Sequence, residues 1–569
     1  MPEHNAYSVM IGGAAGQGLA TIGQMMSKSL MRSGYSIVVT QDYQSRIRGG
    51  HNTFTIRFSP HEIMASQQPM DLLVALNKET VDLHGADLAE SGKIIEDKAD
   101  SSGHPQAISV PFEELGSART INVLAFGIAA SMLGLDEALV SQVMDEFFGH
   151  RHQDAAKENE ETLARAFSWC AENNVSSLEI EPPKKPGRGL MINGNEALAL
   201  GAISAGVKFY AFYPMTPSTS IALTMAAQAE RMGLVVEQAE DEISAVNMAI
   251  GASFAGAPSM VGTSGGGFAL MAEGVSLAAM TETPLVIAVS QRPGPATGLP
   301  TRTAQGDLEF VLHAGHGEFP RAIFAPGSVE ECFYLARAAC FLAEQSQGPV
   351  FILTDQYQAD SYRAVTAFEV EQLAAVDVGC EAGEAESPYE RYRITDSGVS
   401  PRHIPGWTEN LVVADSDEHT PDGHLTEDLA AGEQMARKRL RKLDLLKKET
   451  IPPERWGEEN PDVLLVAWGS GKGPVIEAAR RLEEEGNRTV SVLYFSQVWP
   501  LIPDHFLDTL QGAKEVVSVE GNAFGQLAGL IRRETGFEIA RKVLRFDGMP
   551  LTPEYIIENI SAAGGKGEE

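Results

Sequence analysis

Cysteine is scarce: Cys170, Cys332, Cys340 and Cys380 are the four in a chain of 569 residues. None belongs to a CxxC pair, so the ligand spacing of an iron–sulfur cluster or a zinc site is missing, and no metal ligands are assigned to this chain. So few thiols in so long a chain suit a reducing compartment, and the expected location is the cytoplasm. The opening MPEHNAYSVMIGG has no basic segment followed by a long apolar core, as a signal peptide would. No run approaches the ~18 uninterrupted apolar residues of a membrane helix. Positive charge is short as well: 44 Lys and Arg against 77 Asp and Glu leave a net −33. That surface argues against nucleic acid and anionic membranes as partners, and any anionic ligand must be met by a local basic pocket.

What is present reads as a globular chain, 43% hydrophobic and 21% charged, long enough for three or four domains. Residues 1–178 alternate strand and helix signals: YSVMIGG, then GQGLATIGQMMSKSLMRSG, then YSIVVT, with DLLVAL and GKIIED further on. This rhythm predicts a parallel sheet covered by helices. The Pro-containing, mixed-charge stretch 179–190 reads as a linker. A second α/β region, 191–362, has the strands KFYAFYP, LVVEQ, SMVGTS, PLVIAVS and PVFILTD. Residues 363–455 are polar and irregular, ending in the basic helical stretch ARKRLRKLDLLKK, where Ala436, Leu440, Leu443 and Leu446 share one face. A third α/β region, 456–569, has the strands VLLVAWG, TVSVLYF and EVVSVEG. The fold class is therefore α/β, three domains with mainly parallel sheets.

Several turns carry chemistry. Gly12–Gly18, GGAAGQG, follows a strand and opens a helix; it reads equally as a tight turn and as an anion site centred on Gly16. In QSRIRGGHNTF, Ser45, Arg46, Arg48 and His51 surround a Gly pair, an anion contact or an interface latch in so acidic a chain. FYPMTPSTS, residues 212–220, is sharper. Thr216 is placed to cap a helix with Pro217 in its first turn, and Ser218, Thr219 and Ser220 add hydroxyls. A hydroxyl-rich helix start at the carboxyl end of a strand suits a carboxylate.

In VEQAEDEISAVNMAIGAS, Glu237, Glu240, Asp241 and Glu242 precede a helix whose Ala245, Ala249, Gly251, Ala252 and Ala255 imply close packing on another helix or subunit. Acids are ordinary at helix starts, yet one buried there can hydrogen-bond a heterocycle nitrogen. VGTSGGGFALM is a Gly-rich turn opening another helix. SQRPGPATGLPTRTAQGDL, residues 290–308, then places Arg292, Thr301 and Arg302 on a Pro- and Gly-rich loop, where arginines make bidentate partners for a carboxylate.

Together these motifs resemble the 2-oxoacid:ferredoxin oxidoreductases. YPMTPST is similar to the family's substrate loop, and SQRPGPATGLPT to the form in its two-subunit 2-oxoglutarate-type members. GGAAGQG and SRIRGG resemble its γ domain, here fused ahead of an α subunit, while VAWGSGKG and VVSVEGNAFGQL resemble its transketolase C-terminal-like domain. The resemblance spans nearly the whole chain and is weakest over 363–455. It implies thiamine diphosphate bound between this chain and a smaller β subunit, with Glu242 on the aminopyrimidine N1′ and Pro214, Met215 and Gly265 lining the cofactor. It implies that Thr216 and Arg292 hold the oxoacid carboxylate and keto oxygen, with Thr301 and Arg302 beside them. Ser45, Arg46, Arg48 and Gly16 would contact coenzyme A or gate it.

No GDG followed by a suitably spaced asparagine is found. In this family the Mg2+ and the [4Fe–4S] cluster belong to the β subunit. The expected activity is the coenzyme A-dependent, reversible oxidative decarboxylation of 2-oxoglutarate to succinyl-CoA, with electrons passed to ferredoxin by a dimer of αβ pairs. Run in reverse it fixes carbon, as in a reductive TCA cycle. Pyruvate or a branched or aromatic 2-oxoacid is the alternative substrate. A non-catalytic acidic scaffold with a dinucleotide-binding N-terminal domain is the alternative class, and it leaves the Thr216 turn and the Arg292 loop unused.

Overall fold

The computed structural model describes residues 6–44, 50–148, 153–185, 187, 189–378, 389–486 and 488–562. The chain forms two compact units: Met1–Ile192 with Ser361–Ala367 and Thr552–Glu554, and Asn193–Asp360 with Phe368–Leu551 and Tyr555–Glu569.

The first unit is built on β1 (Tyr7–Ala14), β2 (Ser36–Asp42), β3 (His51–Ser59), β4 (Met70–Ala75), β5 (Leu88–Asp97), β6 (Ala107–Val110) and β7 (Leu190–Ile192). They lie in the order β6-β5-β4-β1-β3-β2, and the strand Tyr362–Val365 then joins β2 to β7. Half of this sheet is parallel, as the rhythm predicts: β1 with β4, β4 with β5 and β5 with β6. The other half is antiparallel, because β3 pairs with both β1 and β2. The segment HNTFTIRFS forms β3; its Phe54, Ile56 and Phe58 are buried, so the residues next to the SRIRGG motif serve the core. The neighbouring Arg and Gly residues obscure the strand signal here.

The second unit carries the candidate site. Its larger sheet contains β8 (Phe209–Phe212), β9 (Val235–Gln238), β10 (Ser259–Thr263), β11 (Leu285–Gln291), β12 (Ala322–Phe324) and β13 (Pro349–Asp355). The order is β12-β13-β11-β10-β8-β9, all parallel, with the strand Gln497–Trp499 antiparallel on the β12 edge. β11 and β13 are buried along their whole length, the property of a parallel strand covered on both faces. A second, five-stranded sheet runs Glu454–Trp456, Val490–Phe495, Val463–Trp468, Glu515–Glu520, Arg541–Leu544.

Small residues let the helices of this unit approach closely. A methyl on Gly274 would come within 2.6 Å of Val246, and one on Gly201 within 2.2 Å of the Phe333 carbonyl. The helix Glu242–Phe254 buries Ala245, Val246, Ala249 and Ile250 against this layer. Its other side leaves Ile243 and Met248 exposed, and Gly251 meets nothing within 4 Å.

The segment 389–448 is less loose than its composition implies. The basic stretch forms the helix Leu429–Lys448, and its buried residues are Met435, Lys438, Arg439, Lys442 and Leu446 rather than an all-apolar stripe of Ala436, Leu440, Leu443 and Leu446. The reason is Glu282, a fully buried carboxylate. Lys438 Nζ donates to both its oxygens at 2.7 and 2.8 Å, and Lys442 Nζ lies 2.6 Å from Oε2. Arg391 donates to the Glu282 carbonyl and to Gln347. Burial alone would raise the Glu282 pKa; the cations of Lys442, Lys438 and Arg391 override it and bring it to about 2. Burial in turn pulls Lys438 down to about 7.

Breaking a buried cluster of this kind strands unpaired charge, so Glu282→Ala is expected to cost on the order of 3–5 kcal/mol in chemical denaturation. Removing the exposed Glu433 of the Arg437–Glu433 pair should cost about 0.5 kcal/mol or less. Because the Glu282 pKa is depressed in the fold, its contribution is present above the ordinary carboxylate range and is lost as pH falls towards 2.

Candidate active site at the carboxyl ends of the strands

Four neighbouring strands, β9, β8, β10 and β11, end side by side, and each delivers one part of the site. This is where open parallel sheets bind ligands. After β9, Asp241 caps the helix Glu242–Phe254 by accepting from Ser244 N at 2.7 Å. Glu242 is thereby freed from capping and turned inward. It is 3% exposed, and its Oε1 has no hydrogen-bond partner. Burial, with Asp241 adding to it, raises its pKa.

After β10 comes the turn Ser264-Gly265-Gly266-Gly267, which starts the helix Gly265–Met280. Gly267 is required here: a methyl would lie 2.4 Å from Glu242 Oε1 and 2.2 Å from Thr263 Oγ1. Gly265 makes room in the same way for Asp307, whose Oδ2 would lie 2.6 Å from a methyl at that position.

After β8, Pro214 is exposed, and Met215 and Thr216 are half-buried. Thr216 does not form the helix cap that its position before Pro217 predicts. The helix begins at Thr219 behind Ser218, and Ser218 N and Oγ both donate to the Met215 carbonyl. The turn is one residue pair longer because Asn195, buried on the preceding helix, donates to the Pro217 carbonyl at 2.9 Å and to Ser220 Oγ at 2.8 Å. Thr216 instead offers its carbonyl to Arg292 Nη1 at 2.7 Å. Arg292 leaves the end of β11, so two motifs 76 residues apart meet. Burial lowers the Arg292 pKa and Asp307 opposes that shift.

Thr301 and Arg302 share the Arg292 loop but not this contact. The Arg302 N–H donates to the Leu299 carbonyl, and its stem packs at Gly548. The loop is anchored further on, where Gln305 exchanges hydrogen bonds with Gly521 and donates to the Trp468 carbonyl.

In the first unit, Gly16 has φ +94° and a methyl there would meet no atom within 4 Å, while Gly18, φ +78°, caps the helix Leu19–Ser33. The Gln17 amide oxygen accepts from Ala14 N and Asn77 Nδ2. Ser45, Arg46 and Arg48 lie outside the described residues.

Sequence reasoning passed over Asn195, Tyr210, Gly267 and Asp307. Tyr210 is fully buried beneath Gly262, and its hydroxyl has no partner. Asp307 precedes a short apolar helix, where an acid reads as an ordinary cap; only its failure to make a capping bond sets it apart. Among the described residues, no three His, Cys, Asp or Glu side chains converge as a metal site, and no helix is long and apolar enough to cross a membrane.

A buried acid with one oxygen unpartnered, facing a glycine cradle, fits a heterocycle nitrogen, so the residues present suit a thiamine-type cofactor. Glu242→Gln should therefore fold. The raised Glu242 pKa means that ionising it works against the fold, so wild-type stability falls as pH rises past the ordinary carboxylate range. The variant lacks that loss, and its thermal midpoint at pH 8 is expected to equal or exceed that of the wild type.

Comparison with known proteins agrees with this geometry. Residues 200–438 match the family model described as pyruvate flavodoxin/ferredoxin oxidoreductase, thiamine diphosphate-binding, and residues 8–169 match that of pyruvate ferredoxin/flavodoxin oxidoreductase. The chain is 30% identical to a 2-oxoacid:ferredoxin oxidoreductase subunit alpha from Sulfolobus sp., over 99% of this chain and 98% of the relative. It is 36% identical to the 2-oxoglutarate synthase subunit KorA of Archaeoglobus fulgidus, over 65% of this chain and 97% of that one. The solved 2-oxoglutarate:ferredoxin oxidoreductase from Magnetococcus marinus, with 2-oxoglutarate, coenzyme A and succinyl-CoA bound, superposes with a TM-score of 0.92 at 29% identity. That match covers 98% of this chain and all of the other. The chain belongs to the 2-oxoacid:ferredoxin oxidoreductases, as an α subunit with a γ-type domain at its N-terminus.

Proposed function

We propose that the chain is the α subunit of a 2-oxoglutarate:ferredoxin oxidoreductase, converting 2-oxoglutarate and coenzyme A to succinyl-CoA and carbon dioxide, reversibly, with ferredoxin as electron carrier. The observation that carries the chemistry is the Glu242 carboxyl, its Oε1 without a partner, beside the Gly267 cradle, in the same row of strand ends as the Thr216–Arg292 bond. The likeness to the KorA relative and to the Magnetococcus enzyme favours 2-oxoglutarate over pyruvate or a branched or aromatic 2-oxoacid.

Thiamine diphosphate supplies the electron sink for decarboxylation when bound. Glu242 would hold a proton at the aminopyrimidine N1′, a task its raised pKa suits. Pro214, Met215 and Gly265 would line the cofactor. Arg292, steadied by the Thr216 carbonyl, keeps guanidinium donors for the oxoacid carboxylate. Thr301 and Arg302 would border the distal end of the substrate. The γ-type domain, with Gly16, Ser45, Arg46 and Arg48, would receive coenzyme A.

The rest of the machinery is assigned to a smaller β subunit carrying Mg2+ and a [4Fe–4S] cluster, in a dimer of αβ pairs working in the cytoplasm. Support for a partner comes from the outward face of the Glu242 helix. There Ile243 and Asn247 border an open cavity of about 670 Å3 with Leu270, Leu277, Phe319 and Leu440.

Two measurements test the reading. The chain purified alone should not reduce a viologen dye, whereas the chain co-purified with its small subunit should do so with coenzyme A and 2-oxoglutarate, with kcat/KM at least about tenfold above that for pyruvate; a tenfold preference is only ~1.4 kcal/mol of transition-state binding. A preference for pyruvate overturns the substrate, and full activity of the lone chain overturns the subunit assignment. In the complex, Arg292→Ala should lower kcat/KM on the order of a hundredfold without loss of assembly.

A further inference from the structure

Asn195 is fully buried near the start of the helix Gly194–Ala205. Its neighbours do the capping work there. Asn193 Oδ1 accepts from Glu196 N at 2.8 Å, and Glu196 Oε2 accepts from Asn193 N at 3.0 Å. Gly194 seats this helix start firmly, since a methyl on it would lie 2.3 Å from the Gln358 carbonyl. The Asn195 amide therefore reaches the turn after β8 from a fixed base. Its Nδ2 donates to the Pro217 carbonyl at 2.9 Å and to Ser220 Oγ at 2.8 Å. The carbonyl just before, that of Thr216, accepts from Arg292 Nη1 at 2.7 Å.

We propose that Asn195 is a positioning residue for the oxoacid carboxylate: by holding Pro217 and Ser220 it keeps the Thr216 carbonyl turned to Arg292, and so orients the guanidinium that receives the substrate. This rests on the oxoacid reading of the site.

The backbone makes the coupling tight. The peptide between Thr216 and Pro217 is planar, and the pyrrolidine ring locks φ of Pro217. One free torsion, ψ of Pro217, therefore separates the direction of the Thr216 carbonyl from that of the Pro217 carbonyl. Holding the second sets the first.

A competing arrangement is built into the same residues. Thr216 followed by Pro217 favours a helix capped at Thr216. The carbonyl of a capping residue accepts the first bond of its helix, which here would come from the Ser220 N–H, four residues on. The Thr216 carbonyl would then be spent inside the helix and lost to Arg292. Asn195 holds Pro217 and Ser220 out of that arrangement, and the helix begins at Thr219 instead. A peg for the helix Thr219–Met232 would account for the bond to Ser220. It would not account for the bond to Pro217, which precedes the helix and adjoins the carbonyl that Arg292 uses. An oriented guanidinium keeps its remaining donors aligned for a carboxylate.

The test is steady-state kinetics on the complex of this chain with its small subunit, thiamine diphosphate and coenzyme A, combined with a double-mutant cycle. Asn195→Ala should raise KM for 2-oxoglutarate and for pyruvate by a similar factor, about tenfold or more, the scale of one misplaced charge-assisted hydrogen bond. Exchange of the cofactor's C2 proton, which reports on Glu242, should stay within about twofold of wild type, the scatter expected of an independent site. In an Arg292→Ala background, Asn195→Ala should change kcat/KM by less than about twofold, because its effect passes through Arg292. Should Asn195→Ala fail to assemble with the small subunit, Asn195→Leu, similar in shape but without a donor, takes its place. An unchanged KM, a full further loss in the Arg292→Ala background, or C2 exchange slowed as much as kcat/KM overturns the inference. If Arg292→Ala alone leaves kcat/KM at the wild-type level, the oxoacid reading falls, and the inference with it.

Discussion

A carboxyl oxygen removed from water and left without a hydrogen-bond partner costs on the order of 1–3 kcal/mol, and the second unit is organised around tolerating that burden at Glu242 Oε1. The Asp241 cap takes over the ordinary work of an acid at a helix start, which lets the next residue turn inward. Gly267 leaves out the side chain that would collide with it. The parallel sheet brings Thr216, Gly265 and Arg292 to the same edge, because β9, β8, β10 and β11 are neighbours that all run one way.

Two buried acids and a half-buried one show how surroundings divide structure from chemistry. Glu282 is as buried as a side chain can be, yet Lys438, Lys442 and Arg391 hold it far below the ordinary carboxylate range, and it ties the 429–448 helix in place. Glu242 and Asp307 lack such cations in full; burial dominates and their pKa values rise. The first arrangement locks one state. The other two favour the protonated form of their carboxyls.

Much of this was legible in the residues. Period and turn chemistry marked five of the six parallel strands of the larger sheet but not β12 (Ala322–Phe324), and the hydroxyl-rich turn and the loop arginine were each singled out as contacts for a carboxylate. They do meet, through the Thr216 carbonyl rather than through a helix cap. What stayed hidden depends on contacts distant in sequence. The partner of Lys438 is 156 residues away, so from sequence the helix shows only its apolar face of Ala436, Leu440, Leu443 and Leu446. β3 hides behind an Arg- and Gly-rich motif, and its antiparallel pairing breaks the expected parallel order. Asp307 looks like a cap until the capping bond proves missing.

The central claim is that Glu242 acts on the aminopyrimidine nitrogen of thiamine diphosphate. Its most direct test is the rate at which the cofactor's C2 proton exchanges with deuterium, followed by NMR in the complex of this chain with its small subunit. Glu242→Gln should slow that exchange on the order of a hundredfold or more relative to wild type while cofactor binding persists, in line with the size of general acid–base effects. Exchange at the wild-type rate in the variant would contradict the assignment.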